Sequence, residues 1–168
     1  MKPGWLLALL ACIGAAGLPA AWAQNRIGAP GWEGFALRDP TGKFDRCVLY
    51  NRSIEDLTTS PYEMLGITRS AKGDVGLLIF FDPRALTRGN NIPVNLKVDG
   101  RPLPPLTGAA ISDFHVSVGG PIGPNAVSAL RQASKIEATA ENKTVQFEVS
   151  DVGSVLDALN ECVKTNAR

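Results

Sequence analysis

The chain of 168 residues contains one histidine, His115, and three cysteines. So few soft ligands argue against a structural zinc site, which takes four Cys or His side chains at characteristic spacings. Neither sign of charge is in excess. Lys and Arg number 17, Asp and Glu 16, and setting Lys2 aside with the N-terminal segment leaves 16 of each, interspersed along the chain. There is no basic stripe that would release counterions from nucleic acid, and no acidic tail. The glycine-bearing loops AKGDVG and SVGGPIGPN match neither the P-loop pattern nor a dinucleotide fingerprint between strand and helix, so no nucleotide or other cofactor is expected. A G-x-S-x-G elbow, internal repeats and low-complexity linkers are missing as well.

What is present begins with MKPGWLLALLACIGAAGLPAAWAQ. Lys2 is a positive leader, Trp5 to about Leu18 is apolar, and Ala21-Trp22-Ala23 fits the small-x-small rule for cleavage before Gln24. Gly14, Gly17 and Pro19 interrupt the segment, which falls short of the roughly 20 apolar residues needed to span a bilayer. Residues 1–23 are therefore read as an export signal, 24–31 as a flexible leader and 32–168 as a single β-rich domain, periplasmic or secreted. A competing reading takes Leu9-Leu10-Ala11-Cys12 as a lipobox with Cys12 lipidated. The apolar run that continues past Cys12, and Leu10 where a small residue is usual, speak against it.

Cleavage at Ala23 leaves Cys47 and Cys162. Two distant cysteines in an exported chain most often pair. In the chain-entropy view, such a bridge contributes about 4–5 kcal/mol.

Turn residues recur at short intervals, as in antiparallel β-proteins. Residues 32–38 and 43–51 read as strands joined at DPTG, and EMLGITR and VGLLIFF as a second pair around SAKGD. The nearly unbroken apolar run at 75–81 predicts a central strand covered on both faces. In NIPVNLKVDG, Ile92, Val94, Leu96 and Val98 alternate inward, and Asp99-Gly100 marks a tight turn. A strand is expected over 110–118, with Phe114, Val116 and Val118 on one face and Asp113, His115 and Ser117 on the other. GPNAVSALRQAS predicts a short helix capped by Asn125 and anchored by Val127 and Leu130. KIEATAENKTVQFEVS predicts a hairpin. A final helix, from about Asp151 or Gly153 to Lys164 with Ser150 or Asp151 as N-cap, carries Val155, Leu156, Leu159, Cys162 and Val163 on one buried face. Cys162 then points to the sheet, where Cys47 can meet it. The architecture expected is a mainly antiparallel β-sandwich or partly open barrel with two short helices, the C-terminal one pinned by the disulfide.

Candidate chemistry is thin. Asp113, His115 and Ser112 or Ser117 are the ingredients of a triad, but neighbours on a strand face do not build the nucleophile–base–orienter chain. RPLPPL at 101–106 has the PxxP form, and reads here as a proline-stiffened edge or loop. Asn51-Arg52-Ser53 and Asn142-Lys143-Thr144 match glycosylation sequons and are read as turns. Arg46, Arg52, Arg69, Arg84 and Arg88 would frame an anion site only if folding gathered them. Trp32, Phe35, Phe44, Tyr50 and Tyr62 would form a binding platform if exposed together. Trp32, Tyr62 and His115 are the candidate contact residues.

The order of three features resembles the invasion-associated locus B family, small exported proteins of alphaproteobacteria. They are Trp32 followed by the strand cysteine Cys47; the stretch PRALTRGNNIPVNLKVDGRPL; and the terminal VQFEVSDVGSVLDALNECV. The resemblance implies a β-sandwich and roles at the envelope and in host interaction rather than a reaction. Family members often carry a further cysteine pair in the second half of the domain, which this chain lacks. Cys162 in the last helix is more like other small exported proteins of unknown function, and no site residues are carried over.

The expected function is that of a non-catalytic exported module binding a protein or glycan, without a stable membrane span after cleavage. The alternative is an inhibitor of an exported or host hydrolase, with RPLPPL or GGPIGPN plugging a cleft. An enzyme using only a carboxylate pair is a third reading, although no Asp or Glu spacing singles one out.

Overall fold

The computed structural model describes residues 26–59 and 62–167. The segment read as an export signal, with Cys12 and the cleavage site before Gln24, lies outside the described residues. In chain order the elements are β1 (Arg26–Ala29), β2 (Trp32–Arg38), β3 (Phe44–Tyr50), α1 (Ile54–Thr59), β4 (Leu65–Ser70), β5 (Val75–Phe80), β6 (Gly89–Val98), β7 (Arg101–Pro102), β8 (Leu106–Ala110), β9 (His115–Val118), α2 (Pro124–Arg131), β10 (Lys135–Ala140), β11 (Lys143–Glu148) and α3 (Val152–Asn166). The strands form one open antiparallel sheet in the order β1-β2-β3-β4-β5-β9-β8-β6-β10-β11, with β7 beside β6. The fold is mainly β, as expected.

Turn chemistry sets the register. Asp39 Oδ1 accepts the backbone N–H groups of Thr41 and Lys43, at 2.9 and 3.0 Å, and the Thr41 hydroxyl, closing the β2–β3 hairpin. Asp99 and Gly100 both have positive φ, 48° and 79°, which the tight β6–β7 turn demands. Asp99 Oδ1 also accepts from Ser134 N, Ser134 Oγ and Lys135 N, tying this turn to the start of β10.

Side chains on one face of the sheet meet in a single core. Leu49 of β3, Ile67 of β4, Leu77 and Ile79 of β5, Val94 and Leu96 of β6, Val116 of β9 and Ile136 of β10 are essentially inaccessible. Val155, Leu156 and Leu159 of α3 join the same core, and α3 lies against β1 to β4. Each such aliphatic side chain contributes about 1.5–3 kcal/mol on burial. The Cys47–Cys162 bond spans 115 positions and fastens α3 to β3, with Cys47 fully buried.

Several local expectations are corrected. Residues 26–29, within the segment read as a flexible leader, form β1, paired along β2 from Arg26↔Phe35 to Ala29↔Trp32. The single strand expected over 110–118 is two, β8 and β9, because the chain turns at 111–114. Ser112 Oγ accepts the Phe114 N–H there, at 3.3 Å, and Ala110 pairs back on Val116. Asn125 does not cap α2. Gly123 is the cap residue and Pro124 opens the helix, where a missing N–H costs nothing. Asp151 precedes α3 in a left-handed conformation without a side-chain capping bond. The third helix, α1, was not expected. Its signal is Ser53-Ile54-Glu55-Asp56, in which Ser53 Oγ accepts the Asp56 N–H and donates to the Asp56 carboxylate, a variant of the capping box.

Candidate interaction surface

Strand alternation turns a second set of side chains to the outer face. On β3, Cys47 and Leu49 point to the core while Val48 and Tyr50 point out. On β5, Leu77 and Ile79 point in while Leu78 and Phe80 point out. Val48, Tyr50, Met64 and Phe80 make a separate buried cluster, and Phe35, Leu37, Leu78 and Phe114 pack on it half-buried. Gly66, paired between Tyr50 and Leu78, lets the Tyr50 ring lie across β4. A β-carbon there would sit 2.9 Å from that ring.

The rings form a chain. Phe35 and Tyr50 have centroids 6.2 Å apart, Tyr50 and Phe80 6.1 Å, Phe80 and Phe114 6.3 Å, and Phe114 and Tyr62 5.2 Å with an edge-on angle of 82°. Such tilted and edge-on pairs suit the ring quadrupoles. His115 lies flat on Phe80, centroids 4.1 Å apart and planes inclined by 18°. Its Nε2 is buried with no hydrogen-bond partner, and burial lowers its pKa from 6.5 to about 4. Burial likewise raises the pKa of the Tyr50 phenol. Ile111, in the β8–β9 turn beside this group, is 54% exposed.

The outer face of β6, β10 and β11 is built differently. Lys97 Nζ meets Glu137 Oε1 at 2.7 Å, and Gln146 Nε2 donates to Glu137 Oε2 at 3.1 Å. Thr139 and Thr144 share a hydrogen bond of 2.8 Å, and Lys135 and Glu148 form a looser pair at 3.9 Å. The Lys97 contact holds the Glu137 carboxyl below its usual pKa. One half of the outer surface is thus a polar lattice and the other an aromatic array.

Two of the three expected contact residues meet at this array, and the third does not. Tyr62 and His115 flank Phe114 and Phe80. Trp32 is a correction: it is 2% exposed, it belongs to the core, and its Nε1–H donates to the Ser150 carbonyl at 3.0 Å. An indole that fills the core and satisfies its one donor has no face left for a partner. Phe44 is also in the core. Phe80 escaped sequence reading because VGLLIFF suggested a strand covered on both sides. Phe114, expected on one face with Val116 and Val118, is a correction, because it lies in the 111–114 turn before β9 and packs on the outer cluster while those two valines enter the core.

The remaining candidates separate in space. His115 Nε2 bonds to nothing, so neither Ser112 nor Ser117 is activated by it. Among the arginines, Arg46 pairs with Asp45, Arg52 reaches the Glu63 carbonyl at 3.5 Å, and Arg84 and Arg88 sit on the β5–β6 connection. Asn51 accepts the Leu65 N–H at 2.9 Å. In RPLPPL, Arg101 and Pro102 form the short β7, and Pro104 and Pro105 are exposed. Among the described residues, no three His, Cys, Asp or Glu side chains are placed to hold a metal ion.

No protein-family model matches the chain, and no curated protein matches it. Among solved structures it is similar to the crystal structure of invasion associated protein b from Bartonella henselae. The identity is 13% and the TM-score 0.49, over 82% of this chain and 95% of that one. The resemblance is loose, and no residue role is taken from it.

Proposed function

We propose that the protein is a non-catalytic exported interaction module whose contact surface is the outer aromatic half of the sheet. One observation carries this reading. Phe35, Leu37, Leu78, Tyr62 and Phe114 remain half-buried on one side of the sheet, the exposed Ile111 lies in the turn that carries Phe114, and the neighbouring half of that face is filled with ion pairs. Apolar surface concentrated in one patch and rimmed by polar residues is the pattern of a partner site. The Cys47–Cys162 bond suits an oxidising compartment, periplasmic or extracellular. Among the described residues no helix is long and apolar enough to cross a membrane. Stacked rings with hydroxyl and imidazole edges suit a protein or glycan partner.

The test is a photo-crosslinker placed at Ile111 and, as control, at Gln146 on the polar half. Capture of one saturable protein or glycan from position 111 and not from 146, abolished by Leu37→Lys, is the expected result. Equal capture from both positions, or none from 111, would remove the reading.

A further inference from the structure

On β4, Leu65 and Ile67 face the core and are fully buried, and the same alternation turns Arg69 to that side. Its register partners are Cys47, bonded to α3, and Val75, also in the core. Arg69 is therefore a half-buried cation at one end of the inner face. Among the described residues its side chain has no ion pair and no hydrogen bond. None of its unbonded nitrogens is a buried atom, so the guanidinium stands open to solvent, and to a ligand, at the end of the inner face.

Arg69 lines a cavity of about 480 Å³ between the β4–β5 turn and α2, within the range of small-ligand sites. Val75, Ile122, Pro124 and Val127 give it an apolar wall. Arg131 lines it too, but Asp157 holds that guanidinium at 2.8 and 3.3 Å, so it serves as wall more than as free charge. Asp74 contributes a carboxylate that pairs with neither arginine.

We propose that this cavity captures the free C-terminus of a peptide that ends in an apolar residue. The terminal carboxylate meets Arg69, the last side chain lies on Ile122 and Val127, and Asp74 accepts a backbone N–H of the peptide. A phosphate group fits less well, since Asp74 opposes a dianion and the wall offers little polar surface. The site lies on the core side of the sheet, away from the aromatic face, and stands independently of the function proposed for that face.

The test titrates acetyl-Ala-Leu with a free carboxylate, and its C-terminal amide, into the disulfide-bonded protein, followed by backbone amide NMR. Saturable shifts at Gly73, Val75, Ile122 and Val127 are expected for the acid. Binding should be at least roughly tenfold weaker for the amide, as loss of a charge-assisted hydrogen bond implies. Arg69→Gln should weaken the acid to the level of the amide and leave the amide unchanged. Equal binding of acid and amide, or no saturation by the acid at millimolar peptide, overturns the proposal. The acid–amide comparison on the unaltered protein decides the matter even where Arg69→Gln does not fold.

Discussion

His115 is the chain's only histidine, which makes its titration readable without interference. In the folded protein burial lowers its pKa to about 4, against 6.5 for the free side chain. Between these values the unfolded chain holds a proton that the folded chain does not, so stability falls as pH drops from 6.5 towards 4. At 1.36 kcal/mol per pH unit the full effect is about 3 kcal/mol, an upper limit because water reaches part of the ring. About 2 kcal/mol of it should appear between pH 7 and pH 5, before the hydrogen-bonded carboxylates Asp39, Asp99, Glu137 and Asp157 begin to weigh. Their folded pKa values are lowered, so their contributions are present above the unfolded values of 3.8 to 4.5 and lost only below them. The assay is urea denaturation at half-unit pH steps, with the imidazole followed by NMR. His115→Phe keeps the stack on Phe80, removes the unpartnered Nε2, and should flatten the slope without lowering stability at pH 7. A flat wild-type profile from pH 7 to 5, or a slope that survives in His115→Phe, refutes the reasoning.

Three further outcomes follow from the packing. Replacing both Cys47 and Cys162 with Ser should lower unfolding stability by about 4 kcal/mol, read as a shift of the urea midpoint, because the bond closes a loop of 115 positions. Gly34→Ala should cost about 3 kcal/mol or leave little folded protein by circular dichroism, since a β-carbon there meets the backbone carbonyl of Val48 on β3. Trp32→Phe should cost about 1–3 kcal/mol in the same denaturation assay, through the lost bond to Ser150 and the space the indole fills.

The sequence was most legible where one face was wet. In β6, Ile92 to Val98 alternate with polar residues, and the structure buries Val94, Leu96 and Val98 as that pattern requires. In α3 the spacing of Val155, Leu156, Leu159 and Cys162 set both the buried face and the disulfide partner. It was least legible where both faces were apolar. In β5 periodicity cannot tell Leu78 and Phe80 from Leu77 and Ile79, because all four are hydrophobic. Trp32 shows the complementary limit: a tryptophan suits a binding patch and a core equally, and only the Ser150 carbonyl within reach of its N–H decides for the core. Arg69 is hidden for another reason. On a strand an arginine reads as solvated, and its inward direction follows from Leu65 and Ile67 once the register is known.

The aromatic array is a consequence of where α3 packs. This helix lies against β1 to β4, and its buried side chains belong to the core shared with Leu49 and Ile67, so it covers the inner side of those strands. The disulfide from Cys162 to Cys47, an inward-facing residue, fixes it on that side. The outer side of β2 to β5 must then limit its own exposure, and it does so by laying ring on ring across Gly66. Self-packing of this kind buries Tyr50 and Phe80 but leaves Phe35, Leu37, Leu78 and Phe114 only partly covered. A polar solution was open to the same sheet, and β6, β10 and β11 use it. β2 to β5 keep aromatics instead, with an imidazole held neutral among them, and it is on this difference between the two halves that the proposed contact surface rests.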